Sequence, residues 1–239
     1  MIRPWISLTL LALTFQPATP GVTLDRGMAA PALLRADPPS GAALRQSPRT
    51  VDLLFSTPLD ARRSFVSVIS DAMDLVNSPA TVTGRRHDEL RVALPKLPAG
   101  PYAVVWTAVT PGGAVAHRSY LFTVGSLGPP LLPNRPVELT QQVNGLSVTL
   151  RAPSDRVAHQ TYTITVGVGG RPVDGARVEL TGRSLDMDMG ETEATARAAG
   201  HGRYVATLDV VMALDWQVTV TIRADRHAAR AVFTYLAHY

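Results

Sequence analysis

The chain has 239 residues, 46% of them hydrophobic and 18% charged, which supplies apolar material for one large domain or two ordinary ones and excludes disorder as its main state. The formal charge of +4 comes from scattered arginines, with Lys96 the only lysine and Arg62-Arg63 and Arg85-Arg86 the only doublets, so the dense basic stripe of a nucleic-acid binder is missing. Cysteine is absent, which removes disulfides, thiolate nucleophiles and cysteine-type zinc sites and leaves His, Met and carboxylates as metal donors.

At the start, Met1-Ile2-Arg3-Pro4 precedes an apolar run from Trp5 to Phe15 and a Pro- and Ala-bearing stretch to Ala30. One positive residue before so short a run reads as a secretory signal over 1–29, cleaved between Ala18 and Ala30, with an uncleaved anchor as the alternative. No later stretch reaches the roughly 18 apolar residues of a membrane helix, so the mature chain is expected to be soluble and exported, in the periplasm or its equivalent.

Beyond the signal, short alternating runs are separated by Pro, Gly, Asp and Asn at intervals of about ten residues, the pattern of antiparallel sandwiches. Strands are expected at Val51 to Ser56, Ser64 to Ser70, Glu89 to Leu94, Tyr102 to Thr110 and His117 to Val124. Turns fall at Asp71 to Pro79, Leu97 to Gly100 and Pro111 to Gly113.

Within this half, Leu33 with Pro38 to Gly41, Ser47-Pro48, Val51-Asp52-Leu53-Leu54-Phe55-Ser56-Thr57-Pro58-Leu59, Leu97-Pro98-Ala99-Gly100-Pro101-Tyr102-Ala103-Val104-Val105-Trp106 and Tyr120-Leu121-Phe122-Thr123-Val124 stand in order. Together they resemble the CopC family, periplasmic copper-binding β-sandwiches of copper-resistance systems, over about Pro31 to Val124. The resemblance implies a Cu(II) ion held by an N-terminal histidine and by an Asp and a His in the turn after the Trp-bearing strand. This sequence has Ala30, Gly112 and Ala114 at those positions, none with a side-chain donor. His117 lies three residues beyond the last of them. Strand parity places it on the face opposite Tyr120, Phe122 and Val124, away from the expected core. The family's methionine-rich Cu(I) loop is reduced to Met73, which reads as a packing residue.

Gly125 to Pro136 holds four prolines and reads as a stiff spacer. It divides a first domain at 30–125 from a second at 137–239, with a linker at 126–136. In the second, strands are expected at Leu146 to Arg151, Gln160 to Val168, Ala176 to Thr181, Thr192 to Arg197, Arg203 to Val211, Trp216 to Arg223 and Ala229 to Leu236. The fold class is thus all-β: two immunoglobulin-like antiparallel β-sandwich domains in tandem.

Thr161 to Val166, Arg171 to Ala176, Met187-Asp188-Met189-Gly190, Gly202-Arg203-Tyr204 and Met212 to Trp216 resemble the YtkA-like and FixH-like exported domains. The resemblance implies a module of the kind often attached to copper-handling or cytochrome-oxidase assembly systems. A separate argument follows strand direction, since each short connection reverses the chain. It gathers His159, Met187, Met189 and Met212 at one pole, with His238 near it, and sends His201 and His227 to the other, about 30 Å away at 3.3 Å per strand residue. Thioethers and imidazole suit Cu(I) better than Cu(II) or harder ions, and a Met-x-Met pair in extended chain puts both sulfurs on one face. Against this, Met212 can plug the core beside Trp216 and the loop methionines can pack beneath their loop.

No phosphate loop, nucleophile elbow or His-Glu-x-x-His helix is present, and no enzymatic activity is expected. The leading function is exported copper binding or delivery in a copper homeostasis or resistance system, through Met and His of the second domain. The alternative is a metal-free interaction module assisting a membrane copper transporter or an oxidase-assembly protein. A third, a cell-surface adhesive sandwich, has only the fold behind it. Neither nucleic acid nor a small-molecule substrate is an expected partner.

Overall fold

The computed structural model describes residues 29–126, 133–224 and 227–239. Residues 1–28 of the expected signal and residues 127–132 of the expected linker lie outside them. Among the described residues every regular element is a strand, and no helix is long and apolar enough to cross a membrane.

In the first half the strands are β1 (Leu33–Asp37), β2 (Ala43–Leu44), β3 (Thr50–Phe55), β4 (Phe65–Ser70), β5 (Thr81–Thr83), β6 (Glu89–Ala93), β7 (Gly100–Val109) and β8 (Val115–Val124). They form two sheets in the spatial orders β1-β3-β6-β5 and β2-β8-β7-β4. Alternation sets which side chains face inward: Val51, Leu53 and Phe55 of β3 are buried while Thr50, Asp52 and Leu54 between them are less so. They meet Val104, Trp106, Tyr120 and Phe122 of the other sheet in one core, where the Phe55 ring packs edge-on against Trp106 at 5.0 Å.

The second half contains β9 (Val137–Val143), β10 (Leu146–Ala152), β11 (Ala158–Val168), β12 (Arg171–Pro172), β13 (Arg177–Ser184), β14 (Thr192–Thr195), β15 (Arg197–Gly200), β16 (Arg203–Val210), β17 (Asp215–Ala224) and β18 (His227–Leu236). One sheet runs β15-β16-β11-β10-β9 with β12 on β11, the other β14-β13-β17-β18. Leu146, Val148, Tyr162, Ile164 and Leu208 of the first sheet face Val178, Leu180, Val218, Val220 and Phe233 of the second across a continuous core.

Each expected strand exists, with end shifts of at most three residues. The segment expected as one strand from Thr192 to Arg197 is two, because the chain changes sheets there: β14 pairs with β13, and β15 pairs with β16. The short β2 runs parallel to β8, so the first half is not wholly antiparallel. Strands β1 and β9, unexpected from the pattern, are edge strands without clean alternation, and β1 also shifts register between Leu33 and Arg35. Met73, expected to pack, is 42% exposed in the turn after β4.

Candidate functional site at the junction of the two halves

The strand walk places one end of the second sandwich correctly. Pairings Ala158↔Val210, Gly182↔Thr192, Ser184↔Trp216 and Asp215↔Leu236 bring the start of β11, the end of β13, the start of β14, the end of β16, the start of β17 and the end of β18 to a common pole. That pole is pressed against the first half. Ala103 and Val105 of β7 and Leu121 of β8 share a buried cluster with Met189, Val210, Val211, Met212, Trp216 and Ala237. The outward face of β7 and β8 is therefore a second core. The sequence carried a signal for this: Tyr102 to Trp106 is apolar without interruption, as in strands covered on both faces.

The four sequence-derived ligands have different surroundings at this pole. Met189 and Met212 are brought together in the junction cluster, 2% and 1% exposed. The Met212 sulfur accepts a hydrogen bond from the Tyr239 hydroxyl at 3.2 Å, and its carbonyl accepts one from Trp216 Nε1 at 2.8 Å. Met187 stands 45% exposed in the β13–β14 loop. His159 is engaged through one ring nitrogen: its Nδ1 lies 2.6 Å from the Asp209 carboxylate. That hydrogen bond, reinforced by the carboxylate's charge and opposed by partial burial, holds the His159 imidazole pKa above the usual histidine value. His238, at the same pole, has Nε2 3.9 Å from Asp155.

Asp209 ties the halves together. Its buried carboxylate also accepts from Ser40 Oγ at 2.5 Å and from the Leu121 backbone N–H at 3.2 Å, both in the first half. Gly41, at a φ of +73°, sits flat on the His159 ring; a Cβ there would come within 2.5 Å of it.

The β13–β14 loop docks on the edge of β8. Ser119 N–H donates to the Glu191 carbonyl at 2.9 Å, and Glu191 N–H donates to the His117 carbonyl at 3.3 Å, extending the sheet by one bridge. Arg118 adds ion pairs to Glu191 at 3.4 Å and Glu193 at 2.5 Å. Gly190 permits this approach: at a φ of +68°, a Cβ would lie 2.8 to 3.0 Å from the Arg118 backbone. His117 is on the face that parity assigned, but the second half covers that face. Its Nε2 lies 3.1 Å from Asp188 Oδ1.

Beside this contact a cavity of about 500 Å³ opens between the halves, lined among others by Ala30, Trp106, Arg118, Tyr120, Glu193 and Asp209. The buried Ser119 and Tyr120 hydroxyls, which also border it, lack a hydrogen-bond partner. Burial, with a smaller contribution from nearby carboxylates, pushes the Tyr120 phenol pKa far up. Ala30 borders this cavity, while Gly112 and Ala114 form the exposed turn between β7 and β8, held by the Thr110 hydroxyl, which accepts from Ala114 N–H at 3.0 Å. None of the three supplies a side-chain donor.

Residues 33–125 match the family model described as CopC domain, and residues 140–221 the model described as YtkA-like. Among solved structures, CopC from Methylosinus trichosporium OB3b is 25% identical, over 41% of this chain and 97% of its own, with a TM-score of 0.38. PcoC, a methionine-rich copper resistance protein from Escherichia coli, is 27% identical, over 40% of this chain and 99% of its own, with a TM-score of 0.32. A two-domain fibronectin type III segment of chicken tenascin is 9% identical over 80% of this chain and 94% of its own, with a TM-score of 0.25. No curated protein matches the chain. The chain thus carries a CopC domain at residues 33–125 followed by a YtkA-like domain at residues 140–221.

Proposed function

We propose that this is an exported copper homeostasis or resistance protein that carries copper as cargo, as Cu(I), on thioether and imidazole donors of the YtkA-like domain. The candidates are His159, Met187, Met189 and Met212. The observation that carries this reading is the gathering at one pole of Met189 and Met212 in one cluster, with Met187 two residues away and His159 on a neighbouring strand. Soft sulfur donors select Cu(I) over hard ions. With Met189 and Met212 buried under the CopC domain, only Met187 among the three thioethers meets solvent while the domains are docked. Loading of the full set then requires the junction to open, and the partner delivering or receiving copper is a membrane copper transporter or an oxidase-assembly protein.

The burial of Met189 and Met212 specifically favours a second reading, in which the methionines are packing residues of a metal-free module that holds such a partner. Cu(I) titration of the exported chain against a Met187→Leu, Met189→Leu, Met212→Leu variant separates the two. The copper reading expects sulfur scattering at the metal edge and loss of the site in the variant. Undiminished affinity in the variant, with partner capture equal in chelator and in copper, leaves the module reading standing.

A further inference from the structure

His117 and the Met187-Asp188-Met189 loop belong to different domains, and the tertiary structure sets them face to face. His117 Nδ1 lies 3.2 Å from the Trp106 carbonyl oxygen and 2.8 Å from Thr107 Oγ1. A carbonyl oxygen only accepts, so in the tautomer with the proton on Nδ1 that N–H meets the Trp106 carbonyl and Nε2 presents a lone pair. That lone pair is directed at Asp188 Oδ1, 3.1 Å away. A carboxylate also accepts, so in this tautomer the two atoms can share a cation, a proton or a metal ion, whereas with the proton on Nε2 the ring donates to Asp188 and Nδ1 accepts from Thr107 Oγ1. Two ligands of one ion with bonds of about 2.0–2.1 Å span this separation at an angle of roughly 100°.

The loop backbone is held in place, while the Asp188 side chain is 87% exposed and Met187 45% exposed. The Asp186 and Met187 N–H groups both donate to Ser184 Oγ, at 3.2 and 3.3 Å, and Asp186 Oδ2 accepts from Asp215 N–H at 2.8 Å. Asp188 Oδ1 accepts from Gly190 N–H at 3.3 Å, and buried Met189 anchors the loop in the junction cluster. Met187, His117, Asp186 and Asp188 line one open hollow of about 610 Å³. The Nδ1 hydrogen bond orients the imidazole as the outer hydrogen bonds of metal-binding histidines do.

We propose that His117 Nε2, the Asp188 carboxylate and the Met187 thioether form a copper site spanning the CopC and YtkA-like domains, with Cu(II) on the imidazole and carboxylate. Among the described residues no three His, Cys, Asp or Glu side chains gather for a metal, and the third donor of the proposed set is the Met187 thioether, which lines the same hollow. A nitrogen, an oxygen and a sulfur donor together exclude Mg²⁺ and Ca²⁺, and Cu(II) heads the divalent affinity order. This rests on the copper reading above and adds a ligand from the other domain.

The test is Cu(II) titration of the whole exported chain, followed by electron paramagnetic resonance and by thermal unfolding. One Cu(II) with a single-imidazole signature is expected, raising the unfolding midpoint. His117→Gln is expected to abolish both effects, and Asp188→Asn to weaken binding about tenfold or more. An unchanged Cu(II) signal in His117→Gln, or no Cu(II) binding by the native chain, overturns the proposal. Neither variant alters a ligand of the Cu(I) set, so the methionine titration succeeds or fails independently. Unfolding of the metal-free variants shows whether the domains still dock.

Discussion

The Asp209 carboxylate is 4% exposed and accepts hydrogen bonds from Ser40 Oγ, Leu121 N–H and His159 Nδ1. A buried charge costs free energy unless it is paired and hydrogen-bonded, and here the partners come from both domains, which converts the cost into a condition on docking. The imidazole pKa of His159 is raised in the fold, chiefly by the hydrogen bond to Asp209. A raised pKa contributes stability that is fully present below the unfolded histidine value of about 6.5 and is lost as pH rises through the folded value. Stability measured by urea unfolding is therefore expected to decline as pH rises above about 6.5 and through the raised folded value, and His159→Gln to flatten that decline. An unchanged slope in the variant would assign it to other groups. At this scale the sequence was partly legible. Parity put His117 on the correct face, but a lone imidazole carries no mark of the Asp188 that meets it from 71 positions away. Likewise nothing local to His159 revealed the Asp209 that holds its Nδ1.

At the scale of elements, periodicity located the strands that alternate or run apolar, the edge strands β4 and β18 among them, and lost those such as β1 and β9 whose pattern is broken. Strand β3 alternates cleanly and was found; β9, an edge strand with Glu138, Thr140, Gln141 and Gln142 between its apolar ends, was not. The β14–β15 break at Ala196 was equally hidden, because a change of sheet is decided by partners: Ala196 N–H donates to the Val178 carbonyl at 2.8 Å as the chain leaves one sheet for the other. The connections at the pole are the informative case. Met212, between β16 and β17, and Met187, between β13 and β14, have the same side chain and opposite surroundings. Met212→Ala is expected to leave a cavity beside Trp216 and cost about 2–4 kcal/mol of stability in urea unfolding. Met187→Ala is expected to stay within about 0.5 kcal/mol of the native chain. Equal effects would mean that the junction cluster does not hold Met212 as described.

The whole molecule is two sandwiches joined through a third, smaller core. Leu121 is 2% exposed in that core although it lies on the outward face of its own sandwich. Leu121→Asp puts an unpaired charge there and is expected to cost about 3 kcal/mol or more while sparing both sandwich cores. Differential scanning calorimetry is expected to show one transition in the native chain resolve into two in the variant. A single transition at an unchanged midpoint would show that the junction does not couple the domains.

Composition and alternation, by themselves, determined that the chain is all-β and that cysteine chemistry is absent, while the resemblance to the CopC family is what implied that Ala30, Gly112 and Ala114 stand where its cupric donors would be. They also determined which loops share a pole, since strand reversal is a local rule. Only the tertiary structure decided that this pole is closed by the CopC domain, that Met189 and Met212 are buried there, and that His117 faces Asp188. The reason is physical: burial and ligand geometry depend on which surface arrives from far along the chain, and docking of one folded domain on another leaves almost no trace in the period of either.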